Sequence, residues 1–138
     1  MPDPILLSLL RINRHRMRGL RKLLSPEDYT GTMHLILSFA CRNPGCSQEQ
    51  IACHFALDKT GVARDARRLE EIGHIERRTV PEDRRRYALY PTKRGAAMYE
   101  TVCRYYDTLA ADMTADFSKE ERALLDRLLS RAVDNLAL

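Results

Sequence analysis

No stretch of this 138-residue chain approaches the roughly eighteen consecutive apolar residues that a membrane-spanning helix needs. The run Ile5-Leu6-Leu7-Ser8-Leu9-Leu10 is too short. Six basic residues follow it rather than precede it, the wrong polarity for a secretory signal. A cytoplasmic location with no membrane partner is therefore expected, and the four cysteines (Cys41, Cys46, Cys53, Cys103) are expected to be reduced thiols. Paired Cys-x2-Cys spacing is missing too. Cys41, Cys46, Cys53 and His54 are close in sequence, but Cys53 and His54 are neighbours on a predicted helix and point about 100° apart, a poor start for a zinc site. No metal or other cofactor is expected. Also missing are a glycine-rich phosphate loop, a His-Glu-x-x-His pair and a Gly-x-Ser-x-Gly elbow. The four histidines (His15, His34, His54, His74) are scattered. No catalytic residue is assigned, and the chain is not expected to be an enzyme.

What the chain does have is charge in two places. The formal net charge is +4, and the basic excess sits on residues 1–24 and 58–94, while residues 25–57 and 95–138 are net acidic. A focused basic patch on a modest total suits a polyanion, and also an ordinary solvated surface. The length fits one domain with a real core.

Apolar residues at helical spacing (Ile5, Leu6, Leu9, Leu10, Met17, Leu20, Leu23, Leu24) predict a long amphipathic helix over residues 4–24, broken by Ser25-Pro26. Thr30 is expected to cap a second helix that stops before Asn43-Pro44-Gly45. Ser47 with Gln50 forms a capping box for a third helix ending near Phe55. Asp58 caps a fourth that runs to Ile72, where Gly73 supplies a left-handed stop. Residues 74–80 and 86–90, bracketing a Pro81–Arg85 turn, read as a two-stranded hairpin. Thr92 opens a fifth helix to about Phe117, and Ser118 with Glu121 forms a second capping box for a sixth with Leu124, Leu125, Leu128, Leu129, Val133 and Leu136 on its apolar stripe. The first and last helices have strong apolar faces and no obvious partner in a compact core of helices two to four. They pair either with each other or with a second copy across a two-fold axis.

On the fourth helix, counted at 100° per residue, Val62, Ala66 and Leu69 share a 60° arc, while Thr60, Arg64, Arg67, Arg68 and Glu71 fall on the other side. Two short helices and an arginine-tipped hairpin are what is needed to put one helix in a DNA major groove with a finger beside it. The candidate DNA-binding set is Ser47 and Gln48 at the third helix's start, Lys59, Thr60, Gly61, Arg64, Arg67 and Arg68 on the fourth, and Asp83, Arg84 and Arg85 on the finger. Arg64, in the first turns, suits a bidentate contact to guanine, worth about 1–3 kcal/mol of discrimination. Arg67, Arg68, Arg84 and Arg86 suit phosphates, and the N–H groups at Ser47 and Gln48 suit one as well. The alternative for each arginine is a merely solvated helix face.

The run Ser47-Gln48-Glu49-Gln50-Ile51-Ala52, Asp58-Lys59-Thr60-Gly61-Val62-Ala63-Arg64 through Gly73, and the finger Pro81-Glu82-Asp83-Arg84-Arg85 resemble the winged-helix core of the MarR (multiple antibiotic resistance regulator) family of bacterial transcription factors. The resemblance implies a mostly α fold with a small β-wing: a winged helix–turn–helix lobe at about 30–92, dimerisation helices at about 4–24 and 93–137, and a single family-like domain over 1–138. It implies a homodimeric repressor of pseudo-palindromic duplex DNA. It also implies Arg85 in a minor groove, Asp83 orienting basic groups nearby, and an effector pocket between the dimer helices and the lobe. Candidate pocket residues are Arg11, His15, Tyr29, Met33 and His34, for a small aromatic or anionic molecule. Gly61 departs from the family's small hydroxyl residue and offers no side chain for direct base reading there. A thiol- or metal-sensing regulator of the same fold, and a winged-helix interaction module without DNA, remain as alternatives. Some relatives sense oxidants through a thiol on the first helix, which here has none, although Cys46 precedes a helix N-terminus, where a thiolate is favoured.

Overall fold

In the computed structural model, which describes residues 1–136, the chain runs as ten elements. They are α1 (Pro4–Leu24), a 3-10 turn (Ser25–Glu27), α2 (Met33–Arg42), β1 (Cys46–Ser47), α3 (Gln48–Phe55), α4 (Lys59–Glu71), β2 (Ile75–Val80), β3 (Asp83–Pro91), α5 (Lys93–Met113) and α6 (Lys119–Asn135). The expected limit of the C-terminal helices at residue 137 lies outside the described residues. The chain divides into two compact units, Met1–Tyr105 and a smaller one beginning at Tyr106.

The caps that the sequence advertises are made. In α3 the Gln50 amide donates to Ser47 Oγ at 3.1 Å and the Ser47 amide to Gln50 Oε1 at 2.9 Å. Asp58 Oδ2 accepts from the Gly61 amide at 3.0 Å, and Gly73, at φ +80, lets the chain turn out of α4 into β2. Thr92 Oγ1 accepts from the Gly95 amide at 3.1 Å and opens α5.

Four features differ from expectation. α2 begins at Met33 with Thr32 in the cap position rather than Thr30, because Gly31 takes a left-handed conformation (φ +56) that delays the helix. The hairpin is joined by a third strand: Cys46↔Leu89 and Ser47↔Ala88 pair antiparallel, giving the order β1-β3-β2. Its tip is also tighter, since Val80 pairs with Asp83 across a register shift after Thr79, so Asp83–Arg85 belong to β3 and only Pro81 and Glu82 form the turn. α5 stops at Met113, where the Thr114 hydroxyl bonds back to the Ala110 carbonyl at 2.8 Å.

Within the larger unit the core is built from Ile36, Leu37 and Ala40 of α2, Ile51 of α3, Val62, Ala66 and Leu69 of α4, and Ile75 and Leu89 of the sheet. Each large aliphatic side chain buried there stabilises the fold by about 1.5–3 kcal/mol. These residues hold α4 with one face inward and its arginines out. The C-terminal half of α1 joins the core through Leu20 and Leu24, and its backbone passes close to α5, where only Gly19 leaves room for Tyr105, whose hydroxyl donates to the Arg16 carbonyl at 2.9 Å. The N-terminal half of α1 is different: Ile5 is 71 % exposed and Leu10 63 %.

In the smaller unit, Ser118 and Glu121 make the second capping box of α6 (Glu121 N–H to Ser118 Oγ, 3.1 Å; Ser118 N–H to Glu121 Oε1, 3.0 Å). No residue of α6 is buried, and Leu124, Leu128, Leu129, Val133 and Leu136 are all exposed.

Candidate nucleic-acid interface

The fold brings α3, α4 and the wing together on one side of the larger unit. Lys59, Thr60, Arg64, Arg67 and Arg68 are exposed on α4, and Asp83, Arg84 and Arg85 are exposed on β3. Ser47, Gln48, Glu49, Lys59, Ala63, Arg85, Arg86 and Tyr87 line one cavity of about 160 Å³, so the start of α3, the first turn of α4 and the wing share a rim. Glu49 lies between two cations there, 3.8 Å from Lys59 Nζ and 3.9 Å from an Arg86 Nη. All three are largely exposed, so these pairs hold little energy and yield readily to a competing anion.

The Asp83 carboxylate accepts the Arg85 amide at 3.0 Å, which shapes the strand at the tip rather than gripping a guanidinium. At the wing's base Arg77 donates from its backbone amide, Nε and Nη2 to the Glu70 carboxylate of α4, at 3.2, 3.2 and 3.0 Å. Arg77 also lies over the Tyr87 ring, 4.7 Å from its centre. Hydrogen bonding to Arg77 holds the Glu70 carboxyl below the usual carboxylate range, so the clamp is charged at neutral pH. Gly61 sits between Asp58 and Arg64 with room to spare. A Cβ there would meet Asp58 Oδ2 and Arg64 Nη2 only at 3.8 Å, so packing does not demand the glycine and the helix forgoes about 1 kcal/mol against alanine.

The sequence reading missed Asp65. It is 2 % exposed, and its carboxylate accepts from the Thr32 amide (3.0 Å), the Thr32 hydroxyl (2.8 Å) and Arg64 Nε (3.1 Å). Burial acts to raise its pKa, but the Thr32 and Arg64 hydrogen bonds outweigh that and leave it lowered, hence ionised. A signal was present: at 100° per residue Asp65 borders the apolar arc of Val62, Ala66 and Leu69.

The five candidate pocket residues are not brought together as one set. An open cavity of about 410 Å³ beside α1 is lined by Met17, Leu20, Arg21, Leu24, Tyr29, Thr30, Gly31 and His34. Tyr29 and His34 are in this lining. Met33 is buried in the core one turn of chain away, its sulfur accepting from the Thr30 amide at 3.3 Å. His15 is exposed on α1, and Arg11 lines a different groove with Leu7, Leu10, Asn13 and Arg14. The Tyr29 hydroxyl is hydrogen-bonded to Nδ1 of the buried His74 at the foot of the wing. Burial pushes the Tyr29 pKa up, and burial with the Arg16 charge pushes His34 down, so both line the cavity uncharged near neutral pH.

Cys46 is buried, Cys53 exposed, and Cys41 and Cys103 are half-buried, with Cys103 near enough to help burial raise the Cys41 pKa. Desolvation, outweighing a backbone hydrogen bond, pushes the Cys46 thiol up to about 11, which disfavours the thiolate. Among the described residues no three His, Cys, Asp or Glu side chains converge as a metal site would require.

A model of the MarR family matches residues 27–86. A candidate transcriptional regulatory protein for the hcr operon of Thauera aromatica is 32 % identical over 111 residues, covering 80 % of this chain and 67 % of its own. A crystal structure of MarR superposes with a TM-score of 0.82 at 31 % identity and covers 98 % of each chain. A candidate MarR-family regulator from Listeria monocytogenes, solved with a 26-mer DNA, has a TM-score of 0.84 at 23 % identity, covering 99 % of this chain and 91 % of its own.

Proposed function

This chain belongs to the MarR family of transcriptional regulators, and we propose that it works in the cytoplasm as a homodimeric repressor that reads a pseudo-palindromic duplex. The observation that carries the reading is the shared rim of α3, α4 and wing, where Lys59, Arg85 and Arg86 surround the start of α3. In this reading α4 enters the major groove with Thr60 and Arg64 toward base edges, and Gly61 lets the backbone approach. Arg85 follows the adjacent minor groove, whose narrow A·T-rich form concentrates negative potential. Ser47, Gln48, Arg67, Arg68 and Arg84 take phosphates. When DNA arrives, Glu49 gives up Lys59 and Arg86 to the backbone.

The open apolar stripes of α1 and α6 support dimerisation, since a second copy would cover what one chain leaves in water. Half-site centres then lie about one helical turn, roughly 10 bp, apart. The cavity lined by Tyr29, Arg21 and His34 is the proposed seat of a small aromatic anion, which releases DNA only if it binds better to a lobe spacing that misfits the two half-sites.

The test is fluorescence anisotropy on fragments selected from genomic DNA, with a panel of aromatic acids added to the complex. Selective binding that weakens steeply with salt is expected. Equal affinity for every duplex would refute sequence reading, and a panel without effect would remove the effector. If neither Arg64→Ala nor Arg85→Ala moves affinity by more than about threefold, roughly 0.65 kcal/mol, the assigned DNA face is wrong.

A further inference from the structure

We propose that Asp65 is a positioning residue for Arg64: it holds the arginine for base reading and ties that hold, through Thr32 and Gly31, to the wall of the cavity beside α1. The proposal rests on α4 presenting Arg64 to base edges.

The geometry divides the Arg64 guanidinium in two. Its Nε is committed inward to Asp65 Oδ1, whereas the side chain as a whole is 68 % exposed. Among the described residues the terminal nitrogens make no hydrogen bond, and they are the pair that forms a two-pronged contact with guanine O6 and N7. A flexible arginine must be ordered before it can discriminate bases, and ordering costs affinity when DNA has to supply it. Here a buried carboxylate orders it beforehand. The carboxylate in turn needs Arg64, because an ionised group so enclosed is costly without a cationic partner.

The other oxygen of Asp65 faces away from the DNA side. Oδ2 takes both the amide and the hydroxyl of Thr32, so the Thr32 hydroxyl makes no side-chain cap on α2. The preceding residue, Gly31, lines the cavity, and a Cβ on it would stand 2.9 Å from the same Oδ2. Only the thickness of one glycine backbone separates the cavity from the carboxylate that aims Arg64. Anything that shifts Gly31 shifts Oδ2, and with it the Nε bond on the far side of the group.

The experiment uses the full-length chain and operator duplexes substituted one base pair at a time, with competitive anisotropy at two salt concentrations. Arg64→Ala should flatten the preference at one position of each half-site by about tenfold, within the range of a lost two-pronged contact. Asp65→Asn and Thr32→Val should flatten that same position by about threefold or more, leave preferences elsewhere intact and keep the salt dependence. In the double variant Arg64→Ala/Asp65→Asn the preference should be no flatter than in Arg64→Ala alone, the mark of residues acting in series. Gly31→Ala, strained at its positive φ and pressed on Oδ2, should flatten that position too. A merely structural Asp65 would give a uniform loss across all positions, and that result would overturn the proposal. Unchanged profiles in folded Asp65→Asn and Thr32→Val proteins beside a flattened Arg64→Ala would overturn it as well, leaving base reading by Arg64 intact. If Arg64→Ala flattens nothing, base reading itself fails and the positioning role falls with it. Should Asp65→Asn fail to fold, Thr32→Val, which keeps both charged residues and removes only the hydroxyl that fixes the carboxylate, carries the same test. A normal profile for Gly31→Ala would refute the link to the cavity.

Discussion

Helices α3 and α6 open with the same device and meet opposite fates. Each starts at a serine whose hydroxyl takes the amide three residues on, while the side chain of that residue returns to the serine amide. α3 buries Ile51 and Ala52 within its own unit, whereas α6 buries nothing and leaves Leu128 48 % exposed. The contrast teaches that a cap decides where a helix begins and has no say in what its apolar face will meet. One stripe finds its partners within the chain. The other would be covered by a second copy in the proposed dimer.

The largest way to break this contrast is Leu128→Glu. On the proposed interface it would bury a carboxylate without a partner and cost about 3–5 kcal/mol, so sedimentation should show monomers or unfolded chain, with operator binding lost. A folded dimer of unchanged affinity would take Leu128 off the interface. Ile51→Ala attacks the other side. Ile51 is fully buried, and the cavity left behind should cost about 2–5 kcal/mol, read as a lower midpoint in urea, with the dimer's self-affinity little changed once folded. If Ile51→Ala dissociates the dimer as readily as Leu128→Glu, the division between internal and external partners does not hold.

Smaller effects sharpen the comparison of the caps themselves. Ser47→Ala and Ser118→Ala should each cost about 1 kcal/mol of local stability, visible as faster amide exchange in the first turn of the helix concerned. The smallest effect separates the two boxes by pH. The third residue of the α3 box is Gln50, which does not titrate, and that of α6 is Glu121, whose pKa is lowered by hydrogen bonds from the Ser118 backbone and hydroxyl. A lowered carboxyl pKa stabilises the helix above the unfolded value, and the contribution is lost as pH falls through the folded one. Acidification from neutral to below the carboxylate range should therefore loosen the first turn of α6 and leave that of α3 unaffected, as followed by amide exchange at Glu121 and Gln50. Equal loosening would mean that the Glu121 carboxylate contributes nothing at its cap.

Much of this was legible because caps and helical stripes are local patterns. Ser47/Gln50, Asp58, Gly73 and Ser118/Glu121 announce their helices within four residues, and α1 was bounded correctly by its apolar spacing and Ser25-Pro26. β1 was not legible, since two residues carry no periodicity and their pairing with Ala88 and Leu89 lies some forty positions away. The wing tip was drawn too wide for a related reason: a run of charged residues looks like a turn until strand pairing is known. Arg64 could be singled out by its place on α4, but the Thr32 contact that holds its neighbour Asp65 could not, because Thr32 lies thirty-three positions away. The cavity lining mixes α1 with the turn before α2, and of the pocket residues suggested by the family resemblance Tyr29 and His34 lie in it, while Arg11 lies in another groove.

The Glu70–Arg77 clamp has a consequence for how such a molecule measures DNA. Three hydrogen bonds from Arg77, whose guanidinium lies over the Tyr87 ring within the wing, fasten the foot of the wing to the last turn of α4. Helix and wing then act as the two jaws of a fixed calliper, set once per chain when it folds. In the proposed complex, DNA of unusual pitch cannot be met by opening the jaws, and the tolerance for operator spacing has to come from the hinge between two copies.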